Sequence, residues 1–274
     1  MKTGFKSERV RALTLIELLV VIAFVAILAA MLLPALSRTK AMSHSTECLN
    51  NLKQLQTGYL MYVDENNDRL PPNRSRLVAL GSSESTAGSW VVGNTQLDTN
   101  TANIQAGVLF PFVLSPSIYH CPADKSTVLD RPSLKRTRSY GLDNWVNGGY
   151  TGNGYDWTPD SYPWSQVRLS TMQNPSPGGV FGFIDFQEQD IAGGLFVIEQ
   201  PSWVVVDDTT DAWHSLAADR HQQGCNLSFL DGHVEHWHWK APKIYKSGAP
   251  LARPGGDLAD HRRLQECVPH DVVR

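Results

Sequence analysis

The chain has 274 residues and a formal net charge of −3, with 19% charged and 42% hydrophobic residues. Because the charges nearly balance and the basic residues form no extended cluster, the composition argues against a nucleic-acid partner. The four cysteines are too few for a disulfide-rich scaffold and include no Cys-x-x-Cys pair, which argues against a zinc ribbon.

The first predicted element is an apolar helix that follows a short basic leader. Residues 18–36 contain no charged side chain, and 19 residues of helix rise about 28 Å, close to the thickness of a bilayer core. Glu17 opens this run, and a carboxylate in a membrane segment is a functional candidate. The leader, residues 1–12, carries four basic residues. This bias predicts a cytoplasmic N-terminus and an exported remainder.

The residues from Leu13 to Val21 read LTLIELLVV and resemble the class III signal of type IV pilins and type II secretion pseudopilins. The resemblance implies that a prepilin peptidase cuts between Ala12 and Leu13 and methylates the new N-terminus. It also implies that Glu17 meets the amine of a neighbouring subunit during filament assembly. The family usually has Gly and Phe at the two positions of the cut. A signal anchor and a cleaved secretory signal are the alternatives, and neither accounts for Glu17.

The helical pattern continues beyond Pro34 as an amphipathic segment. Apolar side chains recur three and four residues apart on one face: Cys48, Leu52, Leu55, Tyr59 and Tyr62. The acidic and amide residues 64–68 and the prolines 71–72 predict its end. The chain thus divides into a leader (1–12), a transmembrane helix (13–36), an amphipathic continuation (37–66) and an extracytoplasmic head (67–274). The head is long enough for one hydrophobic core.

The head is predicted to contain short strands separated by polar loops. Residues 140–146 and 180–186 have the composition of strands, and residues 90–92 that of a shorter one. Residues 147–162, rich in Gly, Tyr and Trp, are predicted to form a loop. Its aromatic side chains suggest polysaccharide as a partner, although rings that cover an edge of the core are the favoured interpretation.

The sharpest pattern in the head is a hairpin around Asp231 and Gly232. Asp-Gly is typical of a two-residue type I′ turn, and residues 225–230 and 233–239 supply the two arms. That turn places Leu227, Phe229, Val234 and His236 on one face. His221 precedes Asp231, but the strand between them separates the two by about 20 Å, so Asp231 is assigned to the turn and not to an acid–base pair.

The remaining reactive side chains give only weak candidates. Asp185, Glu188 and Asp190 could hold calcium, although a solvated loop is favoured. A metal site formed by Cys225, His236 and His238 is disfavoured, because these residues alternate with apolar strand residues. We predict a disulfide between Cys48 and Cys121, one of three full connectivities.

Neither a G-x-S-x-G elbow nor a Cys-His context for catalysis occurs in the sequence. We therefore expect no enzymatic activity and no cofactor, with calcium as the one alternative.

The helix segment 48–55 and several head segments resemble a pseudopilin-like group of planctomycete and verrucomicrobial-type bacteria, the head segments being 120–126, 138–140, 183–185, and His221 with 231–235. The group commonly carries Glu where this chain has Phe186. The resulting prediction is an α+β fold, with a long N-terminal helix packed on a head that contains an antiparallel sheet.

The predicted function is a filament subunit of a type II secretion pseudopilus or a type IV pilus-like system, anchored by a single pass in the inner membrane. Its expected partners are the prepilin peptidase, other pilin or pseudopilin subunits and the inner-membrane assembly machinery. The alternatives are a membrane-tethered glycan-binding module and a tethered hydrolase.

Overall fold

The computed structural model describes residues 15–78, 82–152, 155–157 (backbone only), 165–200, 212–244, 252 and 256–270. The predicted leader lies outside these residues, as do Ala12, Leu13 and part of the predicted aromatic loop. The chain forms two compact units, Met1–Met42 and Ser43–Arg274.

Helix α1 spans Leu15–Glu65 and includes Pro34. In the first unit its apolar side chains are exposed, and the helix is long and apolar enough to cross a membrane. In the second unit the predicted amphipathic face is buried, with Cys48, Leu52, Leu55 and Tyr59 each 0% exposed. The structure thus confirms a long apolar N-terminal helix whose later turns are amphipathic.

Eleven described strands form three sheets. Their bounds are β1 Asn73–Leu77, β2 Ser83–Ser85, β3 Thr127–Val128, β4 Arg131–Lys135, β5 Tyr140–Asp143, β6 Gly148–Gly152, β7 Tyr155–Trp157, β8 Phe181–Asp185, β9 Leu195–Phe196, β10 Gly224–Phe229 and β11 Val234–His238. The largest sheet has the order β11-β10-β8-β5-β9 and is antiparallel except for β5 with β9. A second sheet has the order β2-β1-β6-β7, and β3 pairs with β4.

The described part of the second unit also contains short helices: α2 Ala102–Gln105, α3 Phe110–Val113, α4 Leu258–Gln265, and the 3-10 helices Pro116–Tyr119 and Pro177–Gly179. One apolar cluster packs around α1, where the ring of Tyr59 meets Phe183 of β8 edge-on at 5.9 Å. A second cluster includes Trp213, Trp237 and Leu264 of α4. The fold of the described residues is therefore α+β, as predicted.

Two local predictions were wrong. Part of the predicted aromatic loop forms β6 and β7, because β6 pairs with β1 and with β7 even though its glycines have low strand propensity. The segment 90–92 forms no strand. Trp90 is buried instead by packing, and its indole Nε1 donates to Oδ1 of Asn73 at 3.1 Å.

The hairpin exists, but its turn and register differ from the prediction. Ser228 pairs with Val234, and the Phe229 amide donates to the His233 carbonyl, so residues 230–232 form a three-residue loop. Only Gly232 of this loop has a positive φ, +99°. A type I′ turn needs two such residues, so that assignment was wrong. The extra loop residue shifts the pairing by one position. Leu227 and Val234, which were predicted on the same face of the hairpin, therefore lie on opposite faces.

Candidate functional site

Four side chains with metal-ligating atoms meet inside the second unit. Cys48 comes from α1, Cys121 follows the 3-10 helix Pro116–Tyr119, Asp185 ends β8, and His221 precedes β10. One ligand atom from each residue lies within 4.8 Å of all the others. The exposed fraction is 0% for the first three residues and 1% for His221. The four residues are here called the dithiol cluster.

The contacts within the dithiol cluster are short. Nε2 of His221 lies 3.2 Å from Sγ of Cys121 and 3.1 Å from Oδ2 of Asp185. The hydroxyl of Tyr140 donates to Sγ of Cys48 at 3.3 Å. The cluster therefore contains two sulfurs, one ring nitrogen and one carboxylate oxygen, with a hydroxyl donor beside one sulfur.

Secondary structure and backbone hydrogen bonds hold each member of the cluster in place. Asp185 pairs with Tyr140 across β8 and β5, which brings the hydroxyl donor and the carboxylate into one region of the sheet. The Cys121 amide donates to Oγ of Ser139 at 3.1 Å. The His221 amide donates to the Gly224 carbonyl at 3.2 Å, at the start of β10. Three separate parts of the head are thus fixed around one helix.

Arg220 lies beside the cluster and holds three carboxylates. Its Nη1 is 3.0 Å from Asp124 and 3.7 Å from Asp185, and its Nη2 is 3.2 Å from Glu188. Burial raises the pKa of Asp124, but Arg220 and a hydrogen bond from Ser139 outweigh it and lower that pKa to about 2. Asp124 is therefore ionised, and Arg220 compensates the negative charge near the cluster.

Burial and neighbouring groups change the acidity of the cluster residues. Burial raises the pKa of the Cys121 thiol far above its usual range. Burial by itself would lower the pKa of His221, but its close contacts with Asp185 and Cys121 raise that pKa to about 9. At neutral pH these shifts favour the thiol form of Cys121 and the imidazolium form of His221 beside Asp185.

Asp185 is not satisfied by hydrogen bonds. Among the described residues, neither of its buried carboxylate oxygens accepts one, and its nearest charged neighbours are His221 and Arg220. A buried carboxylate normally accepts hydrogen bonds, because its desolvation is costly, and here only the ion pairs with His221 and Arg220 offset that cost. Since the cluster is buried, it has no room for a large substrate. It can hold a small ion.

The other predicted site residues do not meet in one place. Glu188 and Asp185 both approach Arg220, whereas Asp190 accepts a hydrogen bond from the Leu216 amide at 2.6 Å. The predicted calcium site is therefore not formed by these three carboxylates in the described structure. Asp231 contacts His233 at 2.6 Å, in agreement with its assignment to the turn.

The disfavoured set Cys225, His236 and His238 is also not brought together. Cys225 pairs with Trp237, whereas His236 hydrogen-bonds to Asn226 at 2.8 Å. Nδ1 of His238 lies 2.9 Å from the carbonyl of Gln223.

Cys48 and Cys121 lie together, both as free thiols. The predicted disulfide between them stays a prediction, and it is an alternative to metal binding by this pair, because the same two sulfurs cannot do both. The sequence pattern paired Cys48 with Cys121 but assigned Asp185 and His221 to other places, so the convergence of all four residues was not predicted. No short motif joins them, because the four positions lie tens of residues apart.

A separate surface cavity of about 490 Å³ lies beside β9. Its lining includes Ser83, Gln96, Phe186, Asp190 and His214. Asp190 is already bonded to a backbone amide and His214 to Glu199, so the two titratable groups have separate partners. Asp190 and His214 of the lining therefore do not form an acid–base pair with each other.

Comparison with protein-family models, curated proteins and solved structures finds no match to this chain. Functional assignment therefore depends on its own residues and geometry.

Proposed function

We propose that this chain is a membrane-anchored subunit of a pilus-like or pseudopilus filament. The observation that carries the proposal is the composition of helix α1, Leu15–Glu65. Its first turns expose only apolar side chains after Glu17, while its later turns supply part of the core of the second unit. One element thus offers both a membrane segment and an attachment to a globular head.

The position of Glu17 favours filament assembly over simple anchoring. The carboxylate is the only charged residue between Leu15 and Leu36, and an anchor gains nothing from a charge in hydrocarbon. Removal of the leader between Ala12 and Leu13 would create a cationic amine near the start of the helix. In a filament, that amine would be the partner for Glu17 of a neighbouring subunit.

The proposal includes a topology and a set of partners. The basic leader favours a cytoplasmic N-terminus and an exported head, with a single pass through the inner membrane. A prepilin peptidase, further pilin-like subunits and an inner-membrane assembly machinery would act on such a chain.

Mass spectrometry of the chain extracted from membranes tests the processing step. We expect the mature protein to begin at Leu13 with a methylated amine. An intact Met1, or an N-terminus beyond Pro34, would contradict the proposal.

Incorporation into filaments tests the role of Glu17. We expect Glu17→Gln to leave the amount of membrane-inserted protein unchanged and to reduce the amount in sheared filaments. Glu47→Gln is the matched control, because Glu47 is an exposed carboxylate on the same helix outside the apolar run. Equal incorporation of Glu17→Gln and Glu47→Gln would refute the assembly role.

A further inference from the structure

We propose that Cys48, Cys121, Asp185 and His221 form a structural zinc site that joins helix α1 to the head. The first argument is the donor set. Two sulfurs, one imidazole nitrogen and one carboxylate oxygen are all zinc ligands, and four protein ligands complete the tetrahedral shell of a structural site.

The second argument is distance. Zinc–ligand bonds of about 2.0–2.3 Å in a tetrahedron place neighbouring ligand atoms about 3.3–3.8 Å apart. Two separations, 3.1 and 3.2 Å from Nε2 of His221, are slightly shorter than this, and all four atoms lie within 4.8 Å of one another. Changes of at most about 1 Å in these separations would therefore bring the four atoms to tetrahedral spacing.

The third argument is the unsatisfied carboxylate. Both oxygens of Asp185 are buried and accept no hydrogen bond from the described residues. A zinc ion would bind one of these oxygens directly and would replace the imidazolium of His221 as its positive partner. Two thiolates and one carboxylate carry three negative charges, of which zinc neutralises two, and the remaining charge lies near Arg220, which is 3.7 Å from Asp185 and also faces Asp124 and Glu188. On binding, any proton held by a ligating sulfur or by Nε2 of His221 is released to solvent.

The donor atoms also determine which ion fits. Thiolates favour zinc and other soft or borderline metals, whereas calcium and magnesium take oxygen ligands. Full coordination by buried protein atoms leaves no position for a substrate, so the role is structural. The Tyr140 hydroxyl, which donates to Sγ of Cys48, acts as a positioning group for that sulfur.

The zinc content of the full chain tests the site. The protein is extracted in detergent without chelators, and its metals are measured by inorganic mass spectrometry. We expect about one zinc per chain and no calcium. Cys48→Ser and His221→Gln should each lower the zinc content at least about tenfold. Cys225→Ser is the matched control, because Cys225 is a fully buried cysteine outside the cluster and should keep the zinc.

Two further measurements keep the test decisive if the ligand variants fail to fold. Cobalt added to the metal-depleted unmodified chain should give tetrahedral visible absorption and a sulfur-to-cobalt charge-transfer band. Tyr140→Phe, which keeps the ring, should weaken zinc affinity about tenfold in competition with a chelator.

Three results would overturn the proposal. The first is unmodified protein without zinc that also gives no cobalt–thiolate band. The second is a folded Cys48→Ser chain with unchanged zinc. The third is a Cys48–Cys121 disulfide found by non-reducing peptide mapping. Since all of these are measured on solubilised protein, they leave the proposed filament function untouched.

Discussion

Gly232→Val tests whether the loop after β10 is a structural requirement. Gly232 has a φ of +99°, and a β-branched residue held in such a conformation costs about 1–3 kcal/mol. A Cβ at this position would lie 3.1 Å from Cδ1 of Leu60 on α1, so the neighbouring side chain must move. The strain and the contact together should lower the free energy of unfolding by about 2–4 kcal/mol.

Thermal unfolding of the full chain in detergent, followed by near-ultraviolet circular dichroism, measures this loss. For a domain of this size, about 1 kcal/mol lowers the Tm by about 2–4 °C, so we expect a decrease of about 5–15 °C. Gly88→Val separates the two causes. Gly88 has a φ of +83° with no atom within 4 Å of a built Cβ, so the substitution should cost only the strain.

The contact with Leu60 can be isolated further. In a Leu60→Ala background, Gly232→Val should lose the part of its cost that comes from crowding, which a double-mutant cycle reports as coupling. A Gly232→Val chain whose Tm stayed within about 2 °C of the unmodified protein would refute the reasoning from φ and from contact.

Three further changes should have measurable effects on stability. Burial raises the pKa of Asp190 to about 6, above the usual Asp value near 3.8. The folded state therefore binds this proton more tightly than the unfolded state and loses stability as the pH rises from about 4 to 6. Asp190→Asn should remove up to about 3 kcal/mol of this loss, measured as the difference from the unmodified chain in denaturant titrations across that pH range. Arg138→Met should cost about 3–5 kcal/mol in the same titrations, because Arg138 is fully buried and its removal takes the cationic partner at 3.5 Å away from Asp98. Gly107→Ala should lower the Tm, because its Cβ would overlap the backbone carbonyl of Trp90, which cannot rotate away.

Arg138→Met has a matched control, and the other two changes each have an outcome that would contradict the argument. Arg131→Met removes an exposed arginine and should change stability by less than about 0.5 kcal/mol. A parallel pH profile for Asp190→Asn and the unmodified chain would show that Asp190 does not titrate as argued. A Gly107→Ala chain with unchanged Tm would show that the backbone there moves freely.

Much of the fold could be predicted because it depends on interactions between residues close together in the sequence. An uncharged run long enough for a bilayer, and apolar residues at a 3.6-residue period, depend only on neighbouring positions. The helix was therefore predicted correctly from residues 18–36, and its buried side from the face between Cys48 and Tyr62. The existence of the β10–β11 hairpin was equally local, because Gly232 supplies the positive φ between two strand-forming arms.

Tertiary contacts decided what the sequence could not. The register of the hairpin depends on one extra loop residue, and a shift of one position exchanges the faces of a strand. β6 is a strand because β1 and β7 supply hydrogen-bond partners, which outweighs the poor strand propensity of its glycines. The dithiol cluster exists only because α1, β8 and the segments around Cys121 and His221 meet in the core. Long-range packing sets the distances between these four residues, and the spacing of residues along the sequence does not determine them.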